Sequence, residues 1–491
     1  MRSYQFLRAL CFCLIVLSYA CAFSESPIST RNSQAVQLKK SYRFERDHWI
    51  YVHLEGTPKQ IGYQHGWLLA PEIADALAAV KLEETHDTQR DWGFFRNTAQ
   101  QVLWPHIEAE YREELLGIAA GAAAHGAKLD IWDVVALNAK EEVPDYYVPW
   151  LDKQEKRADA PRLRAPGNCS AFVATGAWTK DHQPVIAHNS WTTYMIGERW
   201  RIVFDIVPVH GQHILMDGFP GAIASGDDYG INASRLAVTE TTITGYASYD
   251  PQGAPEFVRA RKALQYATSI DEFVAIFLVR NNGGYANDWL LADYKTGEIA
   301  RFEVGLKLHK VWRSKDGYFA GANYPSDPEF IKAETDFNPT DDASSPNARR
   351  KRWDAWMAQN KGQIDIGAAQ AALADHWDSF EAKESANERS LCGHVHSSPR
   401  GVPEWEWAPY TPGGAVSAKV ADSTLVNGFA FQARAGLPCG QDFLAGQFLN
   451  AHPEFAWQRP LLRDMKGNPW TEFKIGDSGL SHVLRSAQSV P

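Results

Sequence analysis

The stretch "GNCSAFV", Gly167 to Val173, sets a cysteine at the head of an alternating apolar run. Ahead of it lies "KRADAPRLRAPGN", a polar segment with Pro and Arg that has the composition of an exposed link. Cutting the chain between Asn168 and Cys169 would put a thiol and a free α-amine on one residue. An α-amine titrates at about 8, so it can serve as a general base at neutral pH, where an ordinary lysine cannot. Nucleophile and base would then come from a single residue. The cut can be self-made: the Cys169 thiol attacks the Asn168 carbonyl, an N-to-S acyl shift gives a thioester, and water resolves it. The plain alternative is a small buried cysteine packed in a strand, the commoner fate of this residue type.

The elements needed to position such a thiol can be read nearby. "CSAFVATGAWTKDHQPVIAHNSW" reads as a hairpin with its loop near Gly176–Asp181, which returns "AHNSW" beside the start of the first strand. His188 is then placed to donate to a carbonyl or orient the nucleophile, or is a satisfied strand-end histidine. Asn189 either holds the terminal amine or closes a turn, and Trp191 shapes a pocket wall. From about Tyr51 to Asn138 the pattern is mostly helical, as in "TPKQIGYQHGWLLAPEIADALAAV" and "IEAEYREELLGIAAGAAAHG". From Cys169 onward short β runs follow ("RIVFDIVPV", "HILMDG", "RLAVTETTI"), then two helices, then "WLLADY" and "IARFEVG" around a Lys295-Thr296-Gly297 turn. Helices return in "PNARRKRWDAWMAQN" and "IGAAQAALADHW". That order suits helices layered on stacked antiparallel sheets.

The chain has 491 residues, 45% hydrophobic and 22% charged, which is ordinary for a globular enzyme and argues against extended disorder. A formal charge of −10 offers no basic face for nucleic acid. Eighteen tryptophans could line a groove for lipid or sugar, or serve as core residues. Arg2 and Arg8, the apolar "ALCFCLIVL" and the Ala20-Cys21-Ala22 site read as an export signal over residues 1–22. Export is compatible with periplasm, extracellular space or lysosome, and no other segment reads as a membrane span. Three cysteines leave with that signal, so the mature chain keeps Cys169, Cys392 and Cys439. In an oxidising compartment the pair Cys392–Cys439 is expected as a disulfide, leaving Cys169 single.

Several words in order then resemble one family. "NCSAFVATG…VIAHNSW", "FPGAIASGDDYGINASRLAVTETTI", "NNGGYANDWLLADYK" and "PYTPGGAVSAKVADSTL" are similar to the phospholipase B-like proteins. "EGTPKQIGYQHGWLLAPEI" and "EELLGIAAGAAAHG…DVVALNAKEE" resemble proenzymes of the isopenicillin N acyltransferase type. Together they cover most of the chain from about residue 50. The resemblance implies an N-terminal-nucleophile hydrolase, an α+β four-layer αββα sandwich matured by cleavage just before a cysteine. It implies a mostly helical pro-segment over residues 23–168, a catalytic part over 169–491, and two chains that stay associated. It makes Cys169 the nucleophile, and places His188 where bile-salt-hydrolase relatives carry Arg and Trp191 where they carry Asp. Thr241 or Thr242 falls where an oxyanion-stabilising residue is expected, and Asn323 in "GANYPSDPEF" matches an oxyanion donor of relatives. Asn287 is a rival for that task, and Asn323 is otherwise a turn former. Arg349 or Arg352 matches a supporting arginine, or belongs to a solvated basic helix face.

Other candidates carry less. "GHVHS" offers His394 and His396 at alternate positions, but a third metal ligand at a recognisable spacing is missing, so no metal and no cofactor is expected. Asp227 and Asp228 could bind calcium or help position the nucleophile, though a tight turn explains them. Asn168 and Asn232 head formal glycosylation sequons. The expectation is a secreted, self-processed cysteine hydrolase acting on a small acyl amide or a phospholipid acyl ester. Its rivals are an acyltransferase, in which an amine replaces water, and a non-catalytic binding protein using Trp-rich surfaces.

Overall fold

The computed structural model describes residues 36–157, 169–226 and 229–479. The expected signal, the link with Asn168, and Asp227 and Asp228 lie outside them. Contacts divide the chain at Lys39/Lys40, and the second unit, from Lys40 onward, holds every element below.

Fifteen of the strands make two large sheets. β1 (Tyr42–Arg46), β2 (Trp49–Gly56), β5 (Ile202–Pro208), β6 (Ile214–Gly218), β7 (Gly230–Asn232), β8 (Leu236–Thr242), β9 (Asn287–Asp293), β10 (Glu298–Val304) and β11 (His309–Ser314) lie side by side in that order. The second sheet runs β12 (Gly317–Gly321), β3 (Ser170–Thr175), β4 (Val185–Thr193), β15 (Gly413–Ala421), β16 (Ala430–Ala435), β17 (Thr471–Lys474). A separate two-stranded ribbon pairs β13 (Trp377–Asp378) with β14 (Lys383–Glu384). Every pairing between these strands is antiparallel except β2 on β5.

The layers follow from which face each side chain takes. In β3, Ala171 and Val173 join Tyr51, Val203, Leu290 and Phe431 between the sheets. Its alternate residues Phe172 and Ala174 pack outward on Trp353 and Trp356 of the helix Ser345–Asn360 and on Leu373. On the other side, Ile50, Val52, Phe204 and Val238 of the large sheet meet a helical layer that includes Ile61, Ile73, Leu115 and Phe257. Helix, sheet, sheet, helix is the αββα order, and strands buried on both faces read as unbroken apolar runs.

The segment before Asn168, read as mostly helical from about Tyr51, opens instead on two strands, β1 and β2. "WIYVHLEG" is continuous in β-branched and aromatic residues and forms β2, with Trp49 and Tyr51 in the core between the sheets. The helix begins only at Pro58, after Thr57 closes a capping box with Gln60. That helix, Pro58–Leu68, lies on the helix Ala109–Ala124 through glycines: a Cβ at Gly66 would stand 2.0 Å from the Ile118 carbonyl oxygen, and one at Gly121 2.1 Å from that of Tyr63. Among the described residues no helix is long and apolar enough to cross a membrane. Asn232 of the second sequon is fully buried, its amide donating to the Leu264 and Ala267 carbonyls at 3.0 and 2.8 Å, which leaves no room for a glycan.

Candidate active site

The hairpin forms as its sequence suggests. β3 and β4 pair with Ser170 opposite Asn189 and Ala171 opposite His188. Cys169 sits one residue before β3, buried, with φ +115°, a region L-residues rarely occupy. Something must hold the chain there, and Arg349 does. From the helix Ser345–Asn360 it donates to the Cys169 carbonyl at 2.7 Å, Ser170 Oγ at 3.0 Å, Asn323 Oδ1 at 2.8 Å and Ser345 Oγ at 3.0 Å. Burial draws its guanidinium down to about 9, which still leaves it charged at neutral pH. Its Cζ lies 4.3 Å from the Trp191 ring centroid, so Trp191 is a wall stacked on the cation.

Beside the thiol stand two groups. Cys169 Sγ donates to Glu240 Oε1 at 3.9 Å, and Tyr285 gives its hydroxyl to the same oxygen at 3.2 Å. The ligating atoms of Cys169, His188 and Glu240 lie within 4.8 Å of one another. His188 is kept neutral first by burial and then by the nearby Lys419 cation. Behind it, His188 Nδ1 meets Ser190 Oγ at 3.4 Å, Lys419 bonds that same hydroxyl, and Lys419 Nζ pairs with Asp217 Oδ2 at 2.8 Å, both ends fully buried. Ser225 Oγ donates to Asp217 Oδ1 at 2.6 Å. A buried cation at the foot of the chain and a buried carboxylate beside the thiol give the site a fixed field.

The remaining sequence candidates divide. Asn323, with φ +67°, uses its amide on the Thr242 carbonyl at 2.9 Å while its carbonyl oxygen is held by Arg349. Thr242 pairs in register with Asn287, two residues along from Glu240 on the same face of the sheet. Among the described residues, Thr242 Oγ1 and both amide atoms of Asn287 are buried with no hydrogen-bond partner. Thr241 takes the opposite face, its Oγ1 against Gly321 of β12. Asn189 faces away from the thiol: strand alternation turns it outward, where its Nδ2 donates to the Leu373 and Leu391 carbonyls at 2.7 and 3.0 Å. It clamps the end of the helix Ile366–Leu373 to the loop at Leu391 and does not hold the amine. Arg352 is also elsewhere, forked onto Asp375. The disulfide expected between Cys392 and Cys439 is not formed; both are free thiols, and Cys439 Sγ lies 3.6 Å from His394 Nε2 instead.

Glu240, Tyr285, Ser190, Asp217 and Lys419 were not singled out in the sequence. The available signal was a charge inside a strand-like run: Glu240 in "AVTETT" and Lys419 in "AVSAKVA". Such a residue is rarely buried without a partner.

A cavity of about 470 Å³ opens nearby, lined by Glu83, Glu84, Asp87, Trp405, Trp407 and Trp457 among others. Trp405 joins it to the site, because its ring centroid is 5.7 Å from Arg349 Cζ and its Nε1 donates to Thr244 Oγ1 at 3.0 Å.

Comparison with known proteins agrees with the motifs. Residues 78–312 match the family model described as Phospholipase B. A putative phospholipase B-like 1 of Caenorhabditis elegans is 24% identical over 463 residues, 85% of this chain and 76% of that protein. A putative phospholipase B-like 2 of Rattus norvegicus is 31% identical over 145 residues, 26% of this chain and 24% of the relative's length. Among solved structures, a variant of conjugated bile acid hydrolase from Clostridium perfringens is 13% identical, with 54% of this chain and 89% of that chain covered and a TM-score of 0.33. The family model and a relative matched along most of its length both make the chain similar to the phospholipase B-like proteins.

Proposed function

We propose that this chain is an exported acyl hydrolase that cleaves itself before Cys169 and then uses that cysteine as its nucleophile. The observation that carries the reading is the thiol at the mouth of β3, within 4.8 Å of Glu240 and His188, with its own carbonyl held by Arg349. In the precursor, Cys169 Sγ adds to the Asn168 carbonyl while Glu240 takes the thiol proton. The C–N bond breaks as the amine is protonated, and water splits the thioester to an Asn168 carboxylate and a free thiol. In the mature enzyme the α-amine takes the thiol proton as sulfur attacks the substrate carbonyl, then passes it to the departing nitrogen or oxygen. Water releases the acyl group by the same route.

Asn287 is the better oxyanion donor of the two asparagines. The Asn323 carbonyl oxygen is held by the guanidinium, which fixes the amide plane and leaves it as a brace, whereas the Asn287 amide has no partner among the described residues. The cavity is of ligand size, and its tryptophans suit an acyl amide or phospholipid bearing an ammonium group. Because β2 lies between β1 and β5 in the large sheet, the segment before the cut stays with the rest after cleavage.

Intact-mass analysis of the purified protein beside Cys169→Ala tests this. Wild type should give two fragments, the larger beginning at Cys169, and the variant one. Full-length wild type that is nevertheless active would end the proposal.

A further inference from the structure

Away from the thiol of β3, three loops bring four metal-ligating side chains together. His376 follows the helix Ile366–Leu373, Cys392 and His394 precede the turn Val395–Ser397, and Cys439 follows β16. One ligand atom from each lies within 4.8 Å of all the others. His376 Nε2 is 3.0 Å from His394 Nε2, which is 3.6 Å from Cys439 Sγ. The pair sought in "GHVHS" is therefore the wrong one: His396 turns to the Tyr194 hydroxyl, 2.7 Å from its Nδ1, and the partners of His394 come from distant loops.

A disulfide alone does not account for this grouping. A Cys392–Cys439 bond would leave two imidazole nitrogens pointed at each other with no task. A tetrahedral zinc ion bound at about 2.0–2.1 Å from nitrogen and about 2.3 Å from sulfur places neighbouring ligand atoms about 3.3–3.8 Å apart, close to what is seen. Two thiolates and two neutral imidazoles neutralise a divalent charge and select a borderline-soft ion over calcium or magnesium.

The loops are also braced for the role. Arg352 holds the Asp375 carboxylate, which also accepts from Trp377 N at 3.0 Å, and so fixes the backbone on both sides of His376. The Asp375 carbonyl accepts from Cys392 N at 3.0 Å, and that of Asn387 accepts from His394 N at 2.9 Å. Gly393, between the two ligands, lies so close to Trp191 that a Cβ would stand 2.1 Å from the ring.

We propose that His376, Cys392, His394 and Cys439 bind one zinc-class divalent ion as a closed, structural site. It pins the loop behind Trp191, and thus sets the wall on which Arg349 stacks. Binding forms two M–S and two M–N bonds and releases the two thiol protons to solvent.

The test uses the full chain, purified with reductant and without chelator, and elemental analysis after incubation with Zn²⁺ and desalting. One equivalent of zinc is expected in wild type and in Cys169→Ala, and none in Cys439→Ser or His376→Ala. Replacing zinc by Co²⁺ in wild type should give thiolate-to-cobalt charge transfer with tetrahedral d–d bands, a readout that survives if the variants fail to fold. Failure of the reduced wild type to retain zinc overturns the proposal, as does a cobalt spectrum lacking thiolate bands. Zinc lost in Cys169→Ala would move the site to the active centre and overturn it equally. None of these results depends on whether the chain hydrolyses anything.

Discussion

Arg349→Lys asks how much of the candidate site is positioning. The guanidinium makes four side-chain hydrogen bonds from a fully buried position, to Cys169 O, Ser170 Oγ, Asn323 Oδ1 and Ser345 Oγ. A lysine keeps the charge but offers one nitrogen, which cannot replace a planar fork that spans the Cys169 carbonyl and the Asn323 amide. At least two buried acceptors lose their donor, at about 1–3 kcal/mol each, so the fold should lose about 2–6 kcal/mol. The same bonds hold Cys169 at φ +115°, so part of that energy should also be missing when the thiol lines up for attack. If half is felt in the transition state, cleavage slows by about fivefold to a hundredfold, taking 1.4 kcal/mol per decade. Urea unfolding of the variant in a Cys169→Ala background measures the first quantity, because neither chain can then be cut. A time course of intact mass, after expression at low temperature, measures the second. The reasoning fails if Arg349→Lys unfolds at the wild-type urea midpoint and is processed at the wild-type rate.

Three further outcomes follow from the geometry. Lys419→Met should cost about 3–5 kcal/mol by stranding the Asp217 carboxylate, and Lys419→Met with Asp217→Leu should recover a good part of it; chemical denaturation of the two variants beside wild type checks both. Gly66→Ala forces a methyl to within 2.0 Å of the Ile118 carbonyl oxygen, so the two helices must separate and the melting temperature should fall by several degrees, whereas Gly446→Ala, with nothing within 4 Å, should leave it unchanged. Glu83 is pushed up to about 8 by burial and then by Asp87. The folded state therefore holds a proton that the unfolded state has given up above about 4.5, so this group's stabilising contribution is present at low pH and fades as pH rises towards 8. Glu83→Gln should leave the melting temperature near wild type at pH 5 and raise it above wild type at pH 8, and a gap that does not widen between those values would show that Glu83 is already ionised in the fold.

What the sequence disclosed, and what it hid, depends on distance along the chain. The β3–β4 hairpin was legible because its two strands and its loop lie within one short stretch, and pairing about the loop puts His188 opposite Ala171. The same stretch misled on Asn189, because a period of two decides the face: one position beyond His188 the side chain points to the helices. Glu240 and Lys419 belong to other strands. Each is an isolated charge in an apolar run, and only the register of β15 on β4, Lys419 opposite His188, shows that the lysine lies over the site. The arginine illustrates the limit best. "ARRKRW" reads as a solvated basic face, and Arg350 and Lys351 are indeed exposed, yet the helix turns Arg349 inward between them and the sheet. The β2 strand shows the opposite error. Its residues were readable as a strand, but the helical texture that follows absorbed them, and with them the fact that the part before the cut supplies the two strands at one edge of the large sheet. Chain order is thus a poor guide to which residues share a site here: the thiol at the start of β3 takes its partners from β4, β8, the loop before β9 and a helix 180 positions further on, and only the stacking of the two sheets makes them neighbours.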